Sequence, residues 1–176
     1  HHSGRYGKHP ELVAPSAARS PINALVPREM TEADIERTLG DFVRTAELSR
    51  EAHYDGIEIM GSEGYLITQF TCPRANQRTD GYGGSMQNRA RLMLEATAAV
   101  AGAVGAQRTG IRLTPYGRAN DSGEADPMPL YSYVVGELNK LGLAYLHLIE
   151  PRASGAGQRE VDHQDVPAGA PLFRPL

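Results

Sequence analysis

Asp55–Arg89 reads DGIEIMGSEGYLITQFTCPRANQRTDGYGGSMQNR, and the order of signals along it points to one kind of architecture. A short apolar strand with Ile57 and Ile59 runs into a small-residue loop carrying Glu63, Gly64 and Tyr65. A long polar loop comes next, and then Gly83–Gly84 opens a helix at Ser85. A parallel α/β protein uses this order to display side chains at the C-terminal ends of its strands.

Upstream, Thr31 supplies an N-cap and Asp34 follows three residues later, the spacing of a capping box. Ile35, Leu39, Phe42, Val43 and Ala46 keep the helical period, with Glu32, Glu36, Arg37 and Arg44 on the polar side. The pattern predicts a helix ending near Ala52, after which a left-handed His53 would cost about 1 kcal/mol. In the strand over 55–60, alternation sets Ile57 and Ile59 on one face and Glu58 and Met60 on the other.

Downstream, Ser85 caps a helix carrying Leu92, Ala96, Ala99, Val100 and Ala103, ended by Gly105. A strand over Thr109–Thr114 turns Ile111 and Leu113 one way and Arg112 the other. Asp126 followed by Pro127 starts a third helix with Leu130, Val134, Leu138 and Leu141 as its buried stripe, closed by Gly142. A strand over Leu143–Ile149 then meets Pro151.

Strands and helices therefore alternate as successive βα units, which implies parallel strands with right-handed crossovers. Each strand offers one face to helices and one bearing polar groups, which fits a closed barrel better than an open sheet. A complete (β/α)8 barrel needs about 250 residues, so the fold expected here is a partial barrel of three to four βα units. Residues 31–150 carry those units. Residues 1–30, punctuated by Pro10, Pro15, Pro21 and Pro27, form an extended N-terminal segment with a fourth strand ending near His2. Residues 151–176 read as a loop-like tail with a helix start near Leu172.

Composition narrows the classes. Of 176 residues, 40% are hydrophobic and the formal net charge is −3, which argues against disorder and against a nucleic-acid footprint. A single Cys72 excludes a disulfide framework within this chain. The histidines show no metal-ligand spacing, so no metal site is expected. No apolar run approaches the roughly 18 residues of a membrane span, and no signal peptide opens the chain, so a cytoplasmic protein is the expectation. The opening HHSGR and the closing LFRPL suggest an internal fragment of a longer polypeptide.

Tyr65 is the sharpest candidate for chemistry. Its phenol stays protonated at neutral pH and can give a proton to a developing carbanion; alternatively, its ring packs beneath a loop. Glu63 could orient Tyr65, bind a cation or simply face solvent. Arg112, flanked by apolar strand neighbours, needs a partner. An anionic cofactor edge and a buried pair with Glu58 are the two options. Arg74, Arg78 and Arg89 could hold phosphate or carboxylate groups, or tie the loop down. No glycine fingerprint joins a strand to a helix, which disfavours a Rossmann dinucleotide site.

The segments GRYGKHPELVAPSA (4–17), YDGIEIMGSEGYLITQF (54–70) and PRANQRTDGYGGSMQNR (73–89) resemble the old yellow enzyme superfamily of NADH:flavin oxidoreductases, which are TIM barrels. MGSEGY is similar to the 2,4-dienoyl-CoA reductase branch. GIRLTPYGRANDSGEADP (110–127) and LNKLGLAYLHLIEPR (138–152) are similar to the alkene-reductase branch. The resemblance implies an FMN cofactor, NAD(P)H as reductant and a small unsaturated carbonyl or enoyl substrate. It implies Tyr65 as proton donor, Arg112 as the contact to the flavin pyrimidine edge, and Arg74 as a substrate contact. Met60 and Glu63 occupy the positions where alkene reductases carry the substrate-carbonyl anchors, which makes Glu63 a further substrate contact. The expected activity is reduction of an activated C=C bond. The alternative is a non-catalytic barrel fragment that does not hold flavin stably by itself and self-associates through exposed barrel edges.

Overall fold

The capping box read from Thr31 and Asp34 is formed in the computed structural model, which describes residues 12–18, 26–117 and 123–149. Thr31 Oγ1 accepts the Asp34 N–H at 3.1 Å, and Asp34 Oδ2 accepts the Thr31 N–H at 2.9 Å. Arg28 and Arg37 close on the same carboxylate at 2.7 and 2.9 Å. This launches α1 (Glu32–Glu51), which stops at Ala52. His53 follows with φ 66°, so the helix leaves by the left-handed exit whose cost was weighed from the sequence.

Three strands form one sheet. β3 (Ile57–Gly61), β4 (Thr109–Leu113) and β5 (Tyr145–Leu148) run parallel in the order β3-β4-β5. Between them lie α2 (Leu66–Thr71), α3 (Met86–Val104) and α4 (Pro127–Asn139). Ser85 Oγ caps α3 by accepting the Asn88 N–H, and Gly105 ends it at φ 98°. Asp126 caps α4 through the Met128 N–H, with Pro127 in the first turn.

On the helix side of the sheet, Ile59, Ile111 and Leu113 pack with Ala90, Met93, Val100, Val134 and Leu138. A large apolar side chain buried there contributes about 1.5–3 kcal/mol. The buried side of α3 runs through Ala90, Met93, Thr97 and Val100, and the expected stripe member Ala103 is exposed. At the C-terminal end of this helix the contact passes to Val104, which packs against the same core.

Two elements differ from expectation. The polar loop read after Tyr65 begins with a six-residue helix, α2, whose Ile67 and Phe70 are fully buried. Phe70 joins Met30, Ile35 and Leu92 in a second apolar cluster, which pulls this stretch into helical form without a side-chain cap. The N-terminal segment also holds a short parallel ladder, β1 (Val13–Ala14) with β2 (Arg28–Glu29). The strand expected near His2, the helix start near Leu172 and the 151–176 tail lie outside the described residues.

The loop between α2 and α3 is gathered around Arg78. Its guanidinium donates to Pro15 O at 2.9 Å and to Met30 O, and forks onto the Asp80 carboxylate. Asp80 is held below the usual carboxylate range, chiefly by that bond. Gly83 is obligatory here, because an added Cβ would lie 2.2 Å from Arg78 O. Arg89 likewise donates to Thr71 O at 3.0 Å and pairs with Glu124. Both arginines tie segments together, which is the structural option of the two left open by sequence.

Candidate functional site

The face of the sheet turned away from the helices carries the chemistry. Parallel register sets Glu58 opposite Gly110 and Gly110 opposite Tyr145, and one row on, Met60 opposite Arg112 and Arg112 opposite His147. Because side chains alternate along each strand, these six residues share one face. Met60 and Tyr145 are 39% and 49% exposed, so this face is open among the described residues.

In the first row the Tyr145 ring lies over Gly110, where an added Cβ would come within 2.5 Å of it. Partial burial, then the nearby Glu58 carboxylate, push the Tyr145 phenol above its ordinary value. Glu58 Oε2 meets His147 Nδ1 at 2.9 Å. This corrects the Glu58–Arg112 pairing considered from sequence. Register puts Met60 beside Arg112, and the imidazole of His147 is the group that reaches Glu58.

Arg112 instead donates from Nη2 to Glu63 Oε1 at 3.0 Å, both side chains being about a quarter exposed (26% and 27%). Arg112 Nε is buried without a partner. Glu63 follows the end of β3 in a left-handed conformation, φ 59°, and Gly64 continues it at φ 74°. Such a conformation costs a non-glycine residue about 1–2 kcal/mol. It is held by the Glu63 N–H donating to Thr114 Oγ1 at 3.1 Å, which latches the end of β3 to the end of β4.

Tyr65 closes this turn. Its N–H donates to Ser62 O, and its carbonyl accepts from the Gln69 N–H and the Thr68 hydroxyl as α2 begins. Tyr65 is half-buried and stands at the N-cap of α2. The turn thus holds Tyr65 two residues from the carboxylate that Arg112 grips, all at the C-terminal end of β3 and β4. Arg74 is exposed in the turn after α2. The Glu58–His147 pair and the Arg112–Glu63 pair are additions that sequence reading missed. Register implied by equal βα spacing could have found the first; the second depends on the left-handed turn that follows β3.

Among the described residues no group of His, Cys, Asp and Glu could hold a metal ion, and no helix is long and apolar enough to cross a membrane.

Residues 4–168 match the NADH:flavin oxidoreductase / NADH oxidase family. The chain is 43% identical over 155 residues to a chanoclavine-I aldehyde reductase of Penicillium roqueforti, a match covering 88% of this chain and 42% of that protein. It is 45% identical over 132 residues to 12-oxophytodienoate reductase 2 of Arabidopsis thaliana, covering 75% of this chain and 35% of the relative. Morphinone reductase in complex with tetrahydroNAD superposes with a TM-score of 0.77 at 35% identity, over 84% of this chain and 45% of that one. An old yellow enzyme homologue from Zymomonas mobilis gives 0.73 at 32% identity, over 77% and 41%. The chain therefore spans less than half the length of these relatives, and its three parallel strands with their intervening helices correspond to part of the (β/α)8 barrel that these relatives share.

Proposed function

The chain belongs to the NADH:flavin oxidoreductase / NADH oxidase family, and on that premise we propose that it carries the proton donor and one flavin contact of an FMN-dependent NAD(P)H ene-reductase. The observation that carries this is Arg112 on the inner face of β4, with one donor on Glu63 and a buried Nε–H that lacks an acceptor. An orphaned buried donor costs about 1–3 kcal/mol. The carbonyl and ring-nitrogen acceptors along the pyrimidine edge of FMN are of the kind that would satisfy it, so the residue fits the cofactor.

Bound FMN would supply hydride chemistry, drawing on NAD(P)H and serving an activated C=C bond. The residues of this chain do the rest. Arg112 holds the electron-rich edge of the ring and offsets negative charge there. Tyr65 donates its hydroxyl proton to the substrate carbon that would otherwise carry the charge. Gly64, at φ 74°, takes the left-handed conformation that carries the turn into Tyr65. Glu63 and Arg74 are the proposed substrate contacts. The acceptor is a small unsaturated carbonyl or enoyl compound; relatives named for 12-oxophytodienoate, chanoclavine-I aldehyde and morphinone support that class.

The test begins with FMN absorbance co-eluting with the chain, and NAD(P)H consumed when an enone is supplied. Tyr65→Phe should slow C=C reduction by about 100-fold or more while NAD(P)H still bleaches the flavin at the normal rate. Full-rate C=C reduction by this variant would remove Tyr65 from its role. The exposure of Met60 and Tyr145 on the inner face favours a second reading, a barrel piece that self-associates and holds no flavin by itself. Flavin that elutes apart from the chain on gel filtration would select that reading.

A further inference from the structure

Arg112 does not face its ligand side as an isolated charge. The Glu63 carboxylate lies 3.0 Å from Nη2, and both groups are mostly shielded from water. Glu63 is also fixed in place: its backbone is left-handed, its N–H is bonded to Thr114, and the turn behind it is closed by Tyr65 onto Ser62. Among the described residues, the other groups in register on this face do not take over this role. Met60, in register with Arg112, is neutral, and the Glu58 carboxylate is engaged by His147.

We propose that Glu63 sets the reduction potential of the flavin bound at this site, by neutralising Arg112 and so holding the potential low. The inference rests on the flavin reading above and adds a positioning residue to it. The couple concerned takes up two electrons and one proton, converting the neutral oxidised isoalloxazine ring of FMN to its monoanionic reduced form. A guanidinium favours the anion, and a carboxylate bonded to that guanidinium cancels part of the effect. The loss is confined to the reduced form, because the oxidised ring carries no charge for either group to act on.

The experiment uses the full chain with FMN, dithionite as electron source and a dye of known potential as reference. Glu63→Gln keeps a side chain able to bond Arg112 and removes the charge. Reduced FMN should then bind at least about tenfold more tightly while oxidised FMN binds as before, raising the two-electron potential by about 30 mV. Glu63→Asn carries the same expectation and suits the left-handed backbone, so it covers a failure of the first variant to fold. Glu36→Gln, which removes an exposed carboxylate on α1 away from this face, should leave the potential where it was. A wild-type chain and a Glu63 variant that both bind FMN at the same potential would overturn the inference and leave the flavin reading standing. Absence of FMN binding by wild type would overturn both.

Discussion

Replacing Arg78 with Met removes a guanidinium that three separate segments depend on. Its side chain is only 4% exposed, and it donates to Pro15 O, Met30 O and both oxygens of Asp80. Met matches the length of the aliphatic stem and supplies no donor. Two carbonyls lose a partner, each worth about 1–3 kcal/mol when left unsatisfied. Asp80, whose side chain is 31% exposed, recovers part of its loss from water. The net loss should be about 3–5 kcal/mol, the range for removing one member of a buried pair. Urea unfolding monitored by circular dichroism measures it, with an unchanged denaturant slope expected. Arg44→Ala is the contrast: Arg44 is 58% exposed and pairs with Glu47 and Glu51 at 3.4 and 3.3 Å, so its loss should cost less than about 1 kcal/mol. If Arg78→Met unfolds within about 1 kcal/mol of wild type, the loop is not held as argued.

Two glycines should respond differently to alanine. At Gly83 the new Cβ would sit 2.2 Å from a backbone oxygen, so Gly83→Ala should cost about 1–3 kcal/mol or more. At Gly110 the obstacle is the ring of half-exposed Tyr145, which can swing aside, so Gly110→Ala should cost less than about 1 kcal/mol; a reversed order in thermal melts would refute the contact geometry. Acid stability should depend on Asp34, whose carboxyl is held well below its ordinary 3.8 by Arg28 first, then by the Thr31 N–H and hydroxyl, and by Arg37. The unfolded chain takes up that proton first, so the contribution is complete above the ordinary value and is lost as pH falls below it. Asp34→Asn should therefore be less stable at neutral pH and show a shallower decline in acid, and an unaltered acid limb would count against the assignment.

Much of the frame was legible because it rests on local chemistry. Thr31 with Asp34, Ser85 with Gly105, and Asp126 with Pro127 each satisfy helix ends with adjacent residues, and all three form as read. Alternation in β3 and β4 also placed Arg112 on the face away from the helices. The superfamily was recoverable from its motifs, and the family match over residues 4–168 agrees. What escaped was set at a distance. α2 has no cap to announce it and forms because Phe70 finds Met30, Ile35 and Leu92. The partner of Arg112 depended on register: Glu58 is two positions from Met60, the residue that stands opposite Arg112, whereas Glu63 comes back over the strand end through a left-handed turn. Arg78 looked like any loop arginine until the chain brought Pro15 and Met30 beside it.

The short 3₁₀ turn at Ala106–Arg108 joins α3 to β4, and the two-residue period of the strand makes an insertion there a question of parity. One inserted residue ahead of Thr109, compensated by strand slippage, would deliver Ile111 and Leu113 into the hollow and drive the guanidinium into the oily layer beneath the helices. Two inserted residues would restore every side chain to its proper surface, displaced by a single rung. Odd and even insertions at this joint should therefore have opposite fates, which is a property of arithmetic in the pleat rather than of any one contact.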